Sequence, residues 1–452
     1  MNPLLTGGLA LLAIGSSALA QDTEGRRFPA RLAAQAVLPA DTTIAAPADA
    51  PAHLAKAGKF TTPDRRRTDT LGAVPGRDGV RPTGYGLPIA GQPVQGFSGI
   101  RRMEDGTFWT LSDNGFGSKA NSGDAALMLH HLAIDWQAGM VDRRETVFLS
   151  DPDRIAPFPI ALEGSDTRYL TGADFDVESI QPVPDGFWVG EEFGPWLLRF
   201  DREGQLRSVH ETRLGSVAVA SPDNPLLQLP ADPTKPMPPF NLKRSGGFEG
   251  LARSPDGTRL YALLEGPIYR DGAVEKTADG RTALRVLEFD TAKGDWTGRF
   301  WLYPLAEGGV AIGDFNMLDD TTALVIERDN GAGHASQACK GEPAADCFAT
   351  PARLKRVYKI EMGEENEGEA VRKIGYVDLL NVEDPQGRAR QGTRDGVHDM
   401  PFVTIENVDR VDGTHIVVAN DNNFPFSAGR ALDRADDNEF VLIEAGEFLA
   451  AR

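Results

Sequence analysis

Acidic residues recur at two equivalent places in five repeats of this 452-residue chain. A short apolar segment opens each repeat and carries a small or acidic residue: Ser98 in GFSGI, Glu178 in DVESI, Glu249 in GFEGL, Asp314 in IGDF and Glu406 in TIENV. A turn follows, usually Asp-Gly (Asp105-Gly106, Asp185-Gly186, Asp256-Gly257, Asp412-Gly413), with Asp319-Asp320 in the fourth repeat. An apolar run then ends in a second acid: Asp113, Glu192, Glu265, Asp329 and Asp421. If the repeats close into a circle, these columns become a ring of carboxylates. Two bare carboxylates about 5 Å apart repel by about 3 kcal/mol at an effective dielectric of 20. A ring of them must therefore hold cations or protons.

Hard divalent cations with oxygen ligands meet this demand, and calcium suits it best because it accepts many oxygens in irregular geometry. The expected metal set is Asp113, Glu178, Glu192, Glu249, Glu265, Asp314, Asp329, Glu406 and Asp421, with amide oxygens from Asn114, Asn330, Asn420, Asn422 and Asn423 beside them. Acids at turn ends also cap backbone amides, so a single Asp-Asn-Gly says little and only the five-fold recurrence points to a site. Arg102, Arg244 and Arg328 stand near the acidic motifs and could grip phosphoryl oxygens in bidentate fashion or pair with a neighbouring acid. The seven histidines are scattered, and His130-His131 fall on opposite faces of a strand, which argues against a histidine-rich metal centre. Ser98 and Ser179 lie outside any G-x-S-x-G, and no histidine accompanies their motifs, so a serine triad is not supported.

Positioning such a ring falls to β-strands. From Gly96 onward, runs of apolar, aromatic and β-branched residues alternate with Asp-Gly, Pro-Asp-Gly and Asn-Gly turns, as in an all-β chain of hairpins. Each repeat reads as four strands, except that the fifth has only three before the chain ends; a segment near Arg31 to Leu38 could supply the fourth and lock the ring. The expected architecture is a β-propeller of five four-stranded blades, or six if lead-in residues complete another. In such a ring the start of the first strand and the end of the second share one face, so both acidic columns converge on one mouth. Phe108, Trp109, Phe187, Trp188, Trp196 and Tyr261 read as packing between repeats, while Phe193, Phe424 and Phe426 could wall a pocket.

Composition bounds the rest. Residues 1–20 form an uncharged apolar stretch ending in Ala18-Leu19-Ala20, a signal-peptidase pattern with cleavage after Ala20 and a periplasmic or secreted destination, although the n-region lacks Lys or Arg. Residues 21–95, rich in Ala, Pro, Gly and Thr, form an irregular lead-in with one closing strand, and residues 96–452 the repeat domain. No later stretch is long and apolar enough to span a bilayer. A formal charge of −19 disfavours nucleic acid and anionic lipid and attracts cations. Cys339 and Cys347, the only two cysteines, sit close in one polar loop and are expected to form a disulfide. Oligomeric state leaves no trace in the sequence.

GFSGI with LSDNG, DVESIQ with GEEFGPWLLRFD, RSGGFEGLA, IGDF with VIERDNGAG, and ANDNNFPFS, in that order from about Gly96 to Phe426, resemble the family called "esterase-like activity of phytase", or phytase-like proteins. The resemblance implies a secreted or periplasmic β-propeller hydrolase of phosphate or other esters acting on a small-molecule ester with metal dependence. A calcium-dependent phosphoesterase of that kind would place Asp113, Glu178, Glu192, Glu249 and Arg328 at the reacting centre, with Arg102, Arg244, Asn114 and Asn422 against the substrate. A calcium-dependent lactonase would use the same acids and amides, and a non-catalytic propeller would keep the calcium as structure and present the face for docking.

Overall fold

The Asp-Gly and Pro-Asp-Gly turns fold the apolar runs back on themselves, and the described residues are all-β apart from short helical turns. The computed structural model describes residues 24–452 other than 63, 65, 77, 78, 229, 233 and 237. The expected signal segment 1–20 lies outside the described residues.

Four antiparallel meanders follow one another. The first comprises Phe97–Arg102, Phe108–Ser112, Met128–Asp135 and Met140–Phe148, and the second Val177–Val183, Gly186–Glu191, Trp196–Phe200 and Leu206–Glu211. Phe248–Arg253, Arg259–Leu264, Ala283–Asp290 and Asp295–Pro304 make the third, and Ala311–Met317, Thr322–Arg328, Lys355–Glu361 and Arg372–Asp378 the fourth. Thr404–Arg410, His415–Asp421 and Asn438–Glu444 continue the pattern, and Arg31–Leu38 pairs antiparallel with Asn438–Glu444, from Arg31 opposite Glu444 to Leu38 opposite Asn438. That strand also reaches Met140 through Val37, so the first and last meanders share one nearly closed sheet.

The first strand of each meander packs against the first strand of the next, and Thr404–Arg410 returns to Phe97–Arg102. The approach is close. Gly99, at φ +71°, has Ser179 Cα 3.0 Å from where a Cβ would stand, and at Gly313 the carbonyl oxygen of Ile405 would be 2.0 Å away. These glycines let neighbouring inner strands come together where side chains could not fit. Outward from the axis, aromatic side chains fill the wedges between meanders: Trp109 meets Phe187 edge-on at 4.8 Å and Trp188 meets Phe289 at 5.5 Å.

The lead-in carries more order than its composition suggests. Thr43–Ile44 pairs with Gln92–Pro93, Lys56–Ala57 with Ile89–Ala90, and Gly72–Pro75 with Pro82–Leu87. Such short pairings have no period to read in a sequence. They are tied to the first meander by the buried Asp124 carboxylate, which accepts from Gly58 N (3.1 Å) and Lys59 N (2.8 Å) and ion-pairs with Lys59 Nζ at 3.4 Å. Cys339 and Cys347 are joined as a disulfide. Among the described residues no helix is long and apolar enough to cross a membrane.

Candidate functional site

Sheet pairing slips at one place in every inner strand. Val177 pairs with Glu191 and Ser179 with Gly190, which leaves Glu178 as the extra residue. Phe248 and Gly250 likewise bracket Glu249, and Ile405 and Asn407 bracket Glu406. In the fourth repeat Gly313 and Asp314 lie opposite Ile326 alone, and in the first the extra residue is Gly99, beside Ser98. A bulge frees its residue from strict alternation and re-aims the side chain. Here three bulged glutamates reach one cavity of about 310 Å³.

Eight carboxylates line that cavity: Asp113, Asp176, Glu178, Glu192, Glu249, Glu265, Glu406 and Asp421, against the cations Lys243, Arg244 and Arg328. Two trios have oxygens within 4.8 Å of one another, Asp176–Glu178–Glu192 and Glu178–Glu249–Glu406, with Glu178 common to both. Asp176 meets Glu178 carboxyl to carboxyl, as Glu249 meets Glu406. Such contacts require a shared proton or a cation. Burial first, and then the neighbouring acids, push Asp113, Glu178, Glu192 and Glu249 well above the usual carboxylate range. Burial likewise raises Glu406 to about 8 and Asp176 to about 6.

Polar satisfaction is uneven across the cluster. Glu192 Oε1 and Glu249 Oε1 are buried without a hydrogen-bond partner among the described residues. Two orphaned carboxylate oxygens in a cavity lined by oxygens are what a cation site leaves when its ion is taken out of account, because a buried acceptor without a partner is costly. Oxygen donors throughout suit a hard cation and not a soft one. The surroundings fix the other members. Asn114 Nδ2 donates to Asp176 at 2.6 Å, Ser98 Oγ to Glu406 Oε2 at 3.0 Å, and Thr404 Oγ1 to Asp421 Oδ2 at 3.0 Å. Arg328 Nη2 donates to Glu265 at 3.1 Å and to Glu406 at 3.5 Å, Nη1 donates to Asn330 at 3.0 Å, and Lys243 Nζ holds Glu265 at 2.9 Å.

Of the residues singled out from the sequence, Asp113, Asn114, Glu178, Glu192, Arg244, Glu249, Glu265, Arg328, Asn330, Glu406, Asp421 and Asn423 come together here. Asp314, Asp329, Arg102 and Asn422 do not. The Asp314 carboxylate is spent on Val408 N (2.8 Å), Phe315 N (2.7 Å) and Ile100 N (3.4 Å), deeper between the inner strands. Asp329 folds its own loop, accepting from Arg353 N at 2.8 Å and pairing with Lys355 at 3.0 Å. Arg102 ends its strand at the far side, where its backbone N–H donates to Asp409 at 2.7 Å. Asn422 bridges Gly96 N and the Asp436 carbonyl, both at 3.0 Å. Arg244 reaches only the rim, where it ion-pairs with Asp223. Sequence reasoning missed Asp176, Lys243 and Thr404. Asp176 had a signal, since it stands two residues before Glu178 in the same acidic motif.

A family model described as Phytase-like, esterase-like activity of phytase, matches residues 92–424, a range that contains every acid of the cluster. A 124-residue stretch is 34% identical to an uncharacterized secreted protein of Arthroderma benhamiae, covering 25% of this chain and 24% of that protein. The match thus spans about a quarter of that relative's length. Among solved structures, hydrazine synthase of Kuenenia stuttgartiensis is similar at 13% identity and a TM-score of 0.33, over 75% of this chain and 81% of that one. A periplasmic gluconolactonase of Pseudomonas aeruginosa is similar at 13% identity and a TM-score of 0.29, over 85% and 98%.

Proposed function

Because this chain belongs to the phytase-like family, described as esterase-like activity of phytase, we propose that it is an exported, metal-dependent hydrolase of esters, with phosphoesters the first substrate class and calcium the ion. The observation that carries the reading is the pair of overlapping carboxylate trios with two orphaned oxygens beside Arg328. We read the meanders as the five blades of a β-propeller whose central mouth is the active site. Export is supported by the apolar segment 1–20, by the disulfide, and by the relative named as secreted.

Asp176, Glu178, Glu192, Glu249 and Glu406 would hold the cation, with Asp113 and Asp421 flanking them. When bound, it would supply Lewis-acid polarisation and charge neutralisation for a phosphoryl or ester oxygen. Arg328, held in place by Glu265, Glu406 and Asn330, presents a fixed guanidinium to the substrate's anionic oxygens, and Lys243 adds a second positive charge. Without a cation the Glu249–Glu406 contact holds a proton, since burial raises Glu406 to about 8, and a bound cation would take that proton's place. Burial of Arg328 and the glutamates lowers the local dielectric and strengthens each of these interactions.

The reading is tested by stripping the purified protein with a chelator, counting ions by mass spectrometry, and assaying a phosphomonoester, a carboxyl ester and a lactone with and without added calcium. Calcium-dependent turnover of the phosphomonoester is expected. Preference for the lactone would move the site to that reaction, and bound calcium with no turnover of any substrate would leave a docking propeller. If Glu178→Gln and Glu249→Gln bind the ion and hydrolyse as the parent does, the proposal is wrong.

A further inference from the structure

A second cleft, of about 740 Å³, opens beside the acidic cavity. The two share Arg244, and their linings interleave along the chain: Gly117 and Asp176 face the acidic cavity, while Lys119 and Asp174, two residues away, face the cleft. They are neighbouring chambers that meet at Arg244. Their chemistry differs sharply. The cleft is walled by Phe158, Ile160, Leu227 and Phe240 together with several prolines of the insertion after the second meander. Phe158 is rigidly seated, stacked on Trp196 at 5.7 Å and edge-on to Phe175 at 5.3 Å. Phe240 is 53% exposed, an apolar ring that the core does not use.

Cations stand at the boundary between the chambers. Lys119 Nζ lies 5.4 Å from the Phe193 ring centroid and donates to the Asp223 carbonyl at 3.4 Å, and Arg244 pairs with Asp223. Taken together the two chambers hold ten carboxylates and only Lys119, Lys243, Arg244 and Arg328 as cations. One phosphoryl group can be matched by that set plus a bound cation. A ring bearing several phosphoryl groups would set most of its charge against carboxylates or apolar walls, at a cost no contact there offsets.

Resting on the phosphoester reading above, we propose that the cleft receives the alcohol portion of the substrate, which is a phosphomonoester carrying a single phosphoryl group on a bulky apolar or aromatic alcohol. In the reaction a water oxygen bonds to phosphorus, the phosphorus–oxygen bond to the alcohol breaks, and the proton lost by water ends on the departing alkoxide. The products are inorganic phosphate and the free alcohol. The cleft's size matches sites that enclose small organic ligands, and its walls would act on binding of the alcohol.

The test uses the full chain with calcium and three primary alkyl phosphates of similar leaving-group acidity, methyl, hexyl and 2-(1-naphthyl)ethyl phosphate, alongside inositol hexakisphosphate. The kcat/KM is expected to rise along the alkyl series by about tenfold or more, mainly through KM, as apolar surface is buried. Phe240→Ala and Leu227→Ala, each confirmed folded by circular dichroism, should cut the naphthylethyl-to-methyl ratio by roughly threefold to tenfold. A flat alkyl series, a ratio that neither variant changes, or preference for inositol hexakisphosphate overturns the proposal. If no phosphate ester is turned over, the phosphoester reading fails by itself, and fluorescence titration of 2-(1-naphthyl)ethyl phosphate decides the cleft. Binding weakened several-fold in Phe240→Ala supports it, and equal binding by parent and variant overturns it.

Discussion

The two ends of the central axis are built from the same strands and satisfied in opposite ways. About three residues further along the inner strands, roughly 10 Å from the acidic mouth, Arg101 Nη1 donates to Asp409 at 3.0 Å and to Asn316 Oδ1 at 2.9 Å. Gln181 Nε2 donates to the same Asn316 oxygen at 2.9 Å, and Asn316 Nδ2 donates to the Val408 carbonyl at 2.8 Å and the Ile100 carbonyl at 3.2 Å. Every charge there has a partner, and the network spans four inner strands. At the mouth eight acids crowd together, two of their oxygens have no partner among the described residues, and the cations are too few. A polar network that is complete can rigidify a fold, whereas one that is incomplete costs stability unless a ligand finishes it. The far end therefore holds the ring together, and the mouth is the part that a bound cation would complete.

The largest effect that separates the ends is on ion affinity. Glu249→Gln is expected to weaken calcium binding by about 100-fold or more and to remove hydrolysis with it, while raising the melting temperature of the chelated protein. Isothermal titration and a thermal scan read both. Asp409→Ala should do the reverse, lowering stability in urea by about 2–3 kcal/mol by leaving Arg101 and the Arg102 and Arg410 amides without their acceptor, with calcium affinity unchanged. Equal loss of ion affinity in both variants would break the comparison.

Acidity supplies a third test. Burial first, and then Asp421, pushes the Glu406 carboxyl up from its ordinary 4.5 to about 8. A carboxyl raised in this way contributes stability that is fully present below its unfolded value and lost as pH rises toward 8. Glu178 and Glu249 shift in the same direction. Calcium should therefore raise the melting temperature by several degrees more at pH 8 than at pH 5, and an equal gain at both would place the ion elsewhere. The smallest effect is expected from Ser98→Ala, which removes only the hydroxyl that supports Glu406 Oε2 and should weaken calcium by a few-fold.

Much of this was legible in the sequence because strand periodicity and turn chemistry are local. Arg31 to Leu38 was expected to complete the last meander and does so from end to end. The Asp-Gly turns located most hairpins to within a few residues. What the sequence hid depends on contacts between repeats. Asp314 occupies the same position as Glu178 and Glu249 in its motif, yet its shorter side chain is captured by backbone amides of two neighbouring inner strands. Asp329 ends its strand as Asp421 does, but Lys355 and the Arg353 amide draw it into the loop that follows. Lys243 comes from an insertion whose path no repeat pattern specifies, so its arrival at Glu265 could not be read from spacing.

The slips of register in the inner strands have a further bearing on how such a molecule changes over time. Glu178, Glu249 and Glu406 are surplus to the ladder, because the residues on either side of each keep their partners. Replacing one of them would change the charge of the mouth and leave the sheet's hydrogen bonds in place. In the first repeat the slip falls on Gly99, and the Ser98 hydroxyl beside it donates to Glu406. The ring thus carries exchangeable side chains at fixed positions around one axis, and single substitutions there would change the chemistry of the mouth with little effect on the scaffold.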